Sequence, residues 1–346
     1  MTSEKLPTSP EEVTLPWLKS VLGNNIKAFE FHREHILNES ASKLFVTLTY
    51  EDESARPTKV CIKGGFNPVF IERYHDILIQ MYKREADFFS RVASTLSYID
   101  LPQSYWAGSN ENQGLVIMDD LVALGAEFGE PVNAWPVERV MAGVEQLAGL
   151  HAGTWGVTHS DYPWADPEFW AKVMWALFLK DEKRMMPVLK KHFKSWNPKF
   201  QCLVHGEPHL GNMWIYKGAP RFLDWQGIQV GSAIGDVAYF ASGSLTVEDR
   251  RAHEMRILDH YLSALHRFGG PSLSSKDEDV MVEYHKFMLA GYGWFMAPYE
   301  LQSEARVRVM SERHSAAVVD HKTVELVESM PDVAQTDTYD IVGAVI

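Results

Sequence analysis

The sequence predicts an α+β protein in two parts, a small antiparallel β part followed by a larger, mainly helical part. Three observations predict it. Between about residues 26 and 120, apolar residues fall mostly in short β-branched or aromatic runs separated by polar turns. Beyond about 120 they recur at three- and four-residue spacing, the signature of one buried helical face. That helical stretch is interrupted once, at "LVHGEPHLGNMWIYKGAPRFLDWQ" (Leu203–Gln226), where Pro208 and Gly211 oppose a helix and two apolar runs flank a turn.

Taken in order, residues 1–8 have no apolar pattern and are expected to be disordered. Ser9 is then placed as an N-cap, Pro10 at the first helical position and Glu11 and Glu12 in the first turn of a helix ending near Gly23. The runs "IKAFEFHREHIL", "KLFVTLTYE" and "TKVCIKGGF" predict three antiparallel strands. In "RYHDILIQMYKREADFFSRVAS" the spacing of Ile77, Leu78, Met81, Tyr82, Phe88, Phe89 and Val92 predicts one helix or two short ones. "YWAGS" and "QGLVIMDDL" predict two further strands. "WPVERVMAGVEQLAGLHAG" then aligns Val137, Val140, Met141, Val144, Leu147 and Ala148 on one face, with His151 in phase. The division expected is 1–120 for the first part and 121–346 for the second. No repeat or low-complexity segment occurs, and the tail "PDVAQTDTYDIVGAVI" is open to packing or to hanging free.

Composition narrows the function. Hydrophobic residues make up 46% and charged residues 23%, an ordinary globular balance. A formal charge of −13 with no basic run argues against nucleic acid or an anionic membrane as partner, while leaving room for phosphates beside a local Lys or a cation. No run of about 18 apolar residues predicts a membrane span, and "MTSEKLPTSPEE" lacks the apolar core of a secretory signal. The two cysteines, Cys61 and Cys202, sit in apolar strand-like runs and read as buried reduced thiols. With no disulfide framework, a reducing, cytoplasmic location is expected.

The interrupted stretch carries the chemistry. A strand at Met213–Tyr216, a turn over Lys217–Pro220 and a strand at Arg221–Leu223 make a hairpin that can return Asp224 beside Asn212. Two oxygen ligands near a loop carboxylate, Glu207, suit Mg²⁺, which takes few protein ligands and keeps waters and phosphate oxygens. The acid stands five positions before the Asn, and a later Asp follows an apolar pair, the spacing of the phosphoryl-transfer loop of kinases. Trp225 and Gln226 stand where kinases have Phe-Gly. Zinc is a weaker alternative. His205 and His209 are four apart around Glu207, but Pro208 and Gly211 spoil the helix that would align them; His314 and His321 lie seven apart on a predicted helix.

With these residues in place, the chain resembles the aminoglycoside phosphotransferase/choline kinase-like group of small-molecule kinases, in particular its ecdysteroid-kinase-like branch. The matching segments, in order, are "CIKGG", "YKREADFFSRVA", "LVIMDDL", "LAGLHAGTWG", "LVHGEPHLGN", "FLDWQ" and "GSAIGDVAYF", spread from about residue 14 to 325. The resemblance implies a two-lobed protein-kinase-like fold and an ATP- and Mg²⁺-dependent transfer to a small-molecule hydroxyl. By the same resemblance Lys63 contacts the ATP phosphates and Glu85 forms its ion pair. Asp119, Asp120 and Leu121 form the hinge that holds adenine. Asn212 and Asp224 hold Mg²⁺, Glu207 takes the place of the catalytic Asp, and His205 braces the loop. Each has a plainer rival: Lys63 as a solvated strand-end charge, Glu85 paired with Lys83, Arg84 or Arg91 on its own helix, Asp119–Asp120 closing a strand, Asn212 in a turn and Asp224 as a helix cap. Asp236 reads as a residue that caps or braces a helix.

Two features depart from the pattern. Glu207 is one methylene longer than Asp, and a displacement of about 1 Å at a reacting group costs about 100-fold. Since phosphoryl transfer relies mainly on positioning and on metal electrostatics, a slowed or re-aimed kinase is expected, with a non-catalytic or repurposed member as the alternative. The first strand connection, "LNESASKLF", has no glycine; Ser40, Ala41 and Ser42 are small enough to bring backbone N–H groups near phosphate. Large rings fill the second part (Trp155, Trp164, Trp170, Trp175, Trp196, Tyr292, Trp294 and Phe295), most of them as core and some as candidate pocket lining. The absence of a dense acid cluster points away from polycations and toward an uncharged or apolar alcohol as acceptor.

Overall fold

The computed structural model describes residues 5–37, 41–52, 59–169, 173, 186–195, 197–299 and 301–333. Expectations that concern 1–4, Ser40, Trp170, Trp175, Trp196 and the end of the tail lie outside these residues. The chain divides into two compact units: 1–96 with 100–127 and 223–228, and 97–99 with 128–222 and 229–346.

In the first unit, α1 (Leu15–Leu22) precedes β1 (Ile26–Phe31), β2 (Ser42–Tyr50), β3 (Lys59–Gly64), α2 (Pro68–Arg91), β4 (Ser104–Ser109) and β5 (Gly114–Asp119). The strands form one antiparallel sheet in the order β1-β2-β3-β5-β4. Period two decides what each face carries. Leu44, Val46, Leu48, Val60, Ile62, Leu115 and Ile117 turn to one face and bury against Trp17 and Leu18 of α1. Lys63 and Cys61 turn to the other face, opposite Val116 and Met118 of β5.

The first helix begins later than its sequence suggests. Ser9 and Pro10 open only a short 3-10 turn, Pro10–Glu12, and the Ser9 side chain caps nothing. The helix starts after Thr14, whose side chain accepts from the Trp17 N–H, and it ends at Gly23. The reason is Pro16, which lacks the N–H that would continue a helix from Glu12. α2 has the predicted apolar face, with non-helical backbone at Tyr74 where two helical stretches join.

In the second unit, β6 (Glu127–Phe128) leads to α3 (Val137–Gly153); α4 (Met186–Lys194) and β7 (Gln201–Val204) follow. β8 (Met213–Tyr216) and β9 (Ala219–Phe222) form the hairpin. Its turn is shorter than the sequence reading allowed: Lys217 and Gly218 alone, at φ 51° and 80°, join the strands. Two successive positive φ values match the right-handed twist of a tight hairpin. β10 (Gln229–Ser232) pairs antiparallel with β7 and runs into α5 (Ala233–Ser244). All 12 residues of α5 are buried, so it is the axis of this unit. Ser232 caps it by accepting the Gly235 N–H. α6 (Val247–Arg267), α7 (Glu278–Lys286), a 3-10 stretch (Phe287–Phe295), α8 (Glu304–Asp320) and α9 (Thr323–Ser329) complete the unit. This is the predicted α+β class: an antiparallel sheet region followed by a mainly helical region. No described helix is long and apolar enough to cross a membrane.

Candidate active site

Within the first unit, the sheet and α2 bring three charged residues together. Lys63 Nζ lies 2.8 Å from Glu85 Oε1 and 2.9 Å from Asp224 Oδ1. All but a few per cent of the Lys63 and Glu85 side chains is buried, while 28% of the Asp224 carboxylate side chain stays exposed. Burial disfavours the Lys63 ammonium, but the Asp224 and Glu85 carboxylates outweigh it and raise its pKa, so Lys63 is charged. Burial raises the Glu85 pKa, opposed by Lys63. Glu85 Oε1 also accepts the Trp225 N–H at 3.1 Å. The Trp225 ring stacks on Phe88 at 4.3 Å, and Arg84 donates to the Ile228 carbonyl at 2.7 Å. Three successive contacts from α2 thus hold Leu223–Ile228 in the first unit. Asp224 itself sits in the left-handed region, φ 64° and ψ 71°, which Asp enters at lower cost than most residues.

Asp119, Asp120 and Leu121 follow β5, where the hinge was expected, but their side chains have structural work. Asp119 accepts the Tyr105 hydroxyl at 2.6 Å. Asp120 is buried and accepts from Arg33, at 3.1 Å, and from the Val122 and Ala123 N–H groups; His32 Nε2 lies 2.9 Å away. The Asp120 and Leu121 carbonyls accept the Leu124 and Ala126 N–H groups.

The second unit holds the loop after β7. At Gly206 the chain turns with φ 82°. The His205 and Gly206 N–H groups donate to the two oxygens of Asp236, at 2.6 and 3.1 Å. Asp236 Oδ2 is also 3.3 Å from His151 Nε2, and the other nitrogen of that ring lies 2.8 Å from the Tyr261 hydroxyl. One carboxylate on α5 therefore pins the loop, and His151 on α3 orients that carboxylate. Next along the chain, the Glu207 N–H donates to His205 Nδ1 at 3.3 Å, and Asn212 Nδ2 donates to the Glu207 carbonyl at 3.0 Å. The Glu207 backbone is fixed from both sides, yet 38% of its side chain is exposed. Burial, and after it the Glu207 carboxylate, pushes the pKa of the neighbouring Tyr239 hydroxyl upward.

Lys63, Glu85 and Asp224 thus meet within one unit, and Glu207, Asn212 and His205 within the other. Sequence reasoning gave no site role to Arg84, Trp225 or His151, and it did not reach Tyr261. Asp236 was noticed, but as a residue that caps or braces a helix. The signal was faint: a carboxylate in the otherwise apolar "SAIGDVAYF" and a histidine in phase with an apolar face.

Taken singly, each predicted donor is a hard oxygen: in the second unit Asn212 Nδ2 is committed to the Glu207 carbonyl, which leaves the amide oxygen as its acceptor, and in the first unit the Asp224 carboxylate that meets Lys63 is partly exposed. Hard oxygens from few residues are what Mg²⁺ takes. Among the described residues no group of three or more His, Cys, Asp or Glu side chains is placed to hold a metal ion. His314 lies near Ser242, its Nδ1 2.9 Å from the hydroxyl, and His321 near Glu254 at 3.0 Å. Cys61 and Cys202 are free and buried, and burial pushes the Cys61 thiol up to about 12.

Comparison with known proteins bears on the fold and on the family resemblance. Residues 168–269 match the ecdysteroid kinase-like family. An ethanolamine kinase of Plasmodium vivax is similar in structure, with a TM-score of 0.52, 12% identity and coverage of 87% of this chain and 86% of that one. An amicoumacin kinase, solved in complex with AMP-PNP, Ca²⁺ and Ami, is similar at TM-score 0.52 and 13% identity, over 94% of this chain and 96% of that one. No curated protein matches by sequence. The fold is therefore that of the protein-kinase-like small-molecule kinases, and the resemblance of this chain to the ecdysteroid-kinase-like branch of that group is borne out by its match over residues 168–269.

Proposed function

We propose that the protein transfers a phosphoryl group from ATP, with Mg²⁺, to a hydroxyl of a small molecule. The observation that carries this reading is the buried ammonium of Lys63 held between Glu85 and Asp224. A buried lysine shared by two carboxylates, one of them partly exposed, is arranged to meet phosphate oxygens and a cation.

In this reading residues 1–120 form the nucleotide lobe, served by Asp224, and 121–346 carry the catalytic loop and the acceptor site. Glu85 orients Lys63, which binds the α- and β-phosphates. The backbone of Asp119–Leu121 takes adenine. Asn212 and Asp224 hold Mg²⁺, which when bound neutralises charge on the transferring phosphoryl oxygens. Glu207 accepts the proton of the acceptor hydroxyl as the oxygen attacks the γ-phosphorus and the bond to the ADP oxygen breaks. The pinned backbone of 205–207 sets where that carboxylate starts from. The acceptor we favour is an uncharged or apolar alcohol, and the compartment the cytoplasm.

One substitution supports a second reading. Glu207 stands where the related enzymes place Asp, so the chain can have kept the fold and lost transfer, binding a small natural product instead. Thermal shift with ATP, with and without Mg²⁺, separates the two: a Mg²⁺-dependent rise supports the kinase, and no rise supports the binder. Screening alcohols for a mass gain of one phosphoryl group then identifies the acceptor.

A further inference from the structure

Glu207 has a fixed backbone and a side chain one methylene longer than the position expects, so something must decide where its carboxylate rests. The nearest candidate is two residues away. His209 Nε2 lies 3.7 Å from Glu207 Oε1, just beyond hydrogen-bond reach. The other ring nitrogen, Nδ1, accepts the Gly211 N–H at 3.0 Å. A nitrogen that accepts carries no proton, so in the neutral ring the proton sits on Nε2, facing the carboxylate.

The ring cannot easily turn away. It packs edge-on against Trp294, with centroids 5.2 Å apart and planes at 80°. Trp294 is itself tied, its Nε1–H donating to the Tyr239 hydroxyl at 2.9 Å. Residue 211 has to be small for the ring to sit there: a Cβ at Gly211 would come within 2.8 Å of His209 Cε1 and 3.0 Å of Nδ1. His209 is 6% exposed, and the carboxylate 3.7 Å from its Nε2 belongs to a side chain that is 38% exposed.

We propose that His209 is a positioning residue: its Nε2–H draws back the longer Glu207 carboxylate and holds it where a shorter acid would stand. The proposal rests on the kinase reading for its consequence, but not for its geometry. It also accounts for how Glu at 207 is compatible with transfer. Displacements of about 1 Å at a reacting group cost about 100-fold, so a group that removes such a displacement has a measurable effect.

Two variants separate steering from capping. His209→Asn keeps an acceptor near the Nδ1 position for the Gly211 N–H and removes the Nε2–H. His209→Gln restores a donor near Nε2 and loses the cap. ADP release from Mg·ATP with water as acceptor should fall about 10- to 100-fold in kcat for His209→Asn, with KM for ATP unchanged, and recover most of that loss in His209→Gln. In the Glu207→Asp background the cost of His209→Asn should shrink at least fivefold. The reverse order, with His209→Asn active and His209→Gln impaired, makes His209 a cap and overturns the proposal. Nitrogen-15 spectra of labelled histidine decide the geometry without any activity. Glu207→Ala should move the His209 Nε2 resonance while Nδ1 stays unprotonated, and an unmoved resonance overturns the proposal. Failure of wild-type protein to bind ATP in a Mg²⁺-dependent way counts against the kinase reading alone.

Discussion

The two charged clusters are built in opposite ways. In the first unit the side chains are locked: Lys63 meets both Glu85 and Asp224, and Glu85 and Arg84 bind the segment that carries Asp224. In the second unit the backbone is locked and the key side chain stays partly open to solvent: Asp236 and Asn212 fix residues 205–207, while the Glu207 carboxylate projects from them part-exposed, with His209 Nε2 at 3.7 Å. A locked cluster makes stability and function inseparable. A locked backbone with a part-exposed side chain lets the acid change identity without disturbing the fold.

The contrast is sharpest at Glu207. Glu207→Ala should lower turnover by about 100- to 10,000-fold, the usual worth of a general base, yet change unfolding free energy by less than about 0.5 kcal/mol. Glu207→Asp should match or exceed the wild-type rate. Chemical denaturation and ADP release on the same samples check both; equal rates for wild type and Glu207→Ala would remove Glu207 from the chemistry.

Glu85→Ala should do the reverse of Glu207→Ala, costing stability first. It removes one of the two carboxylates from a buried ammonium and takes away the acceptor of the Trp225 N–H, a change worth about 3 kcal/mol. Its midpoint in urea should fall clearly. If Glu85→Ala unfolds like wild type, the first cluster is no more locked than the second.

A smaller effect concerns acid. Burial pushes His314 down to about 3, and its Nε2 has no hydrogen-bond partner among the described residues. The unfolded chain therefore takes up this proton first, near pH 6.5, and stability is lost as pH falls from about 6.5 toward 3. The slope from this one group is at most about 1.4 kcal/mol per pH unit. His314→Gln should flatten the urea-derived stability profile below pH 6.5 by that amount, and an unchanged slope would show that His314 titrates normally.

Much of the fold was legible. Period-two runs gave the five strands of the first sheet, and the apolar stripe of "WPVERVMAGVEQLAGLHAG" gave α3. The start of α1 was misplaced because Ser9-Pro10 and Thr14-Leu15-Pro16 are both good helix openings, and only the missing N–H of Pro16 decides between them. The candidate site was legible where spacing is local, as from Glu207 to Asn212. It was illegible where folding joins distant residues. Nothing in "GSAIGDVAYF" shows that Asp236 reaches back 31 positions to His205, or that Glu85 will accept a backbone N–H 140 positions on.

The most direct test is calorimetric titration of ATP into wild-type protein and Asp224→Asn, each with and without Mg²⁺. Wild type should bind ATP more tightly with Mg²⁺ than without it, and Asp224→Asn should lose that difference while still folding. Equal affinity of wild type with and without Mg²⁺, or a Mg²⁺ effect that survives in Asp224→Asn, would contradict the account.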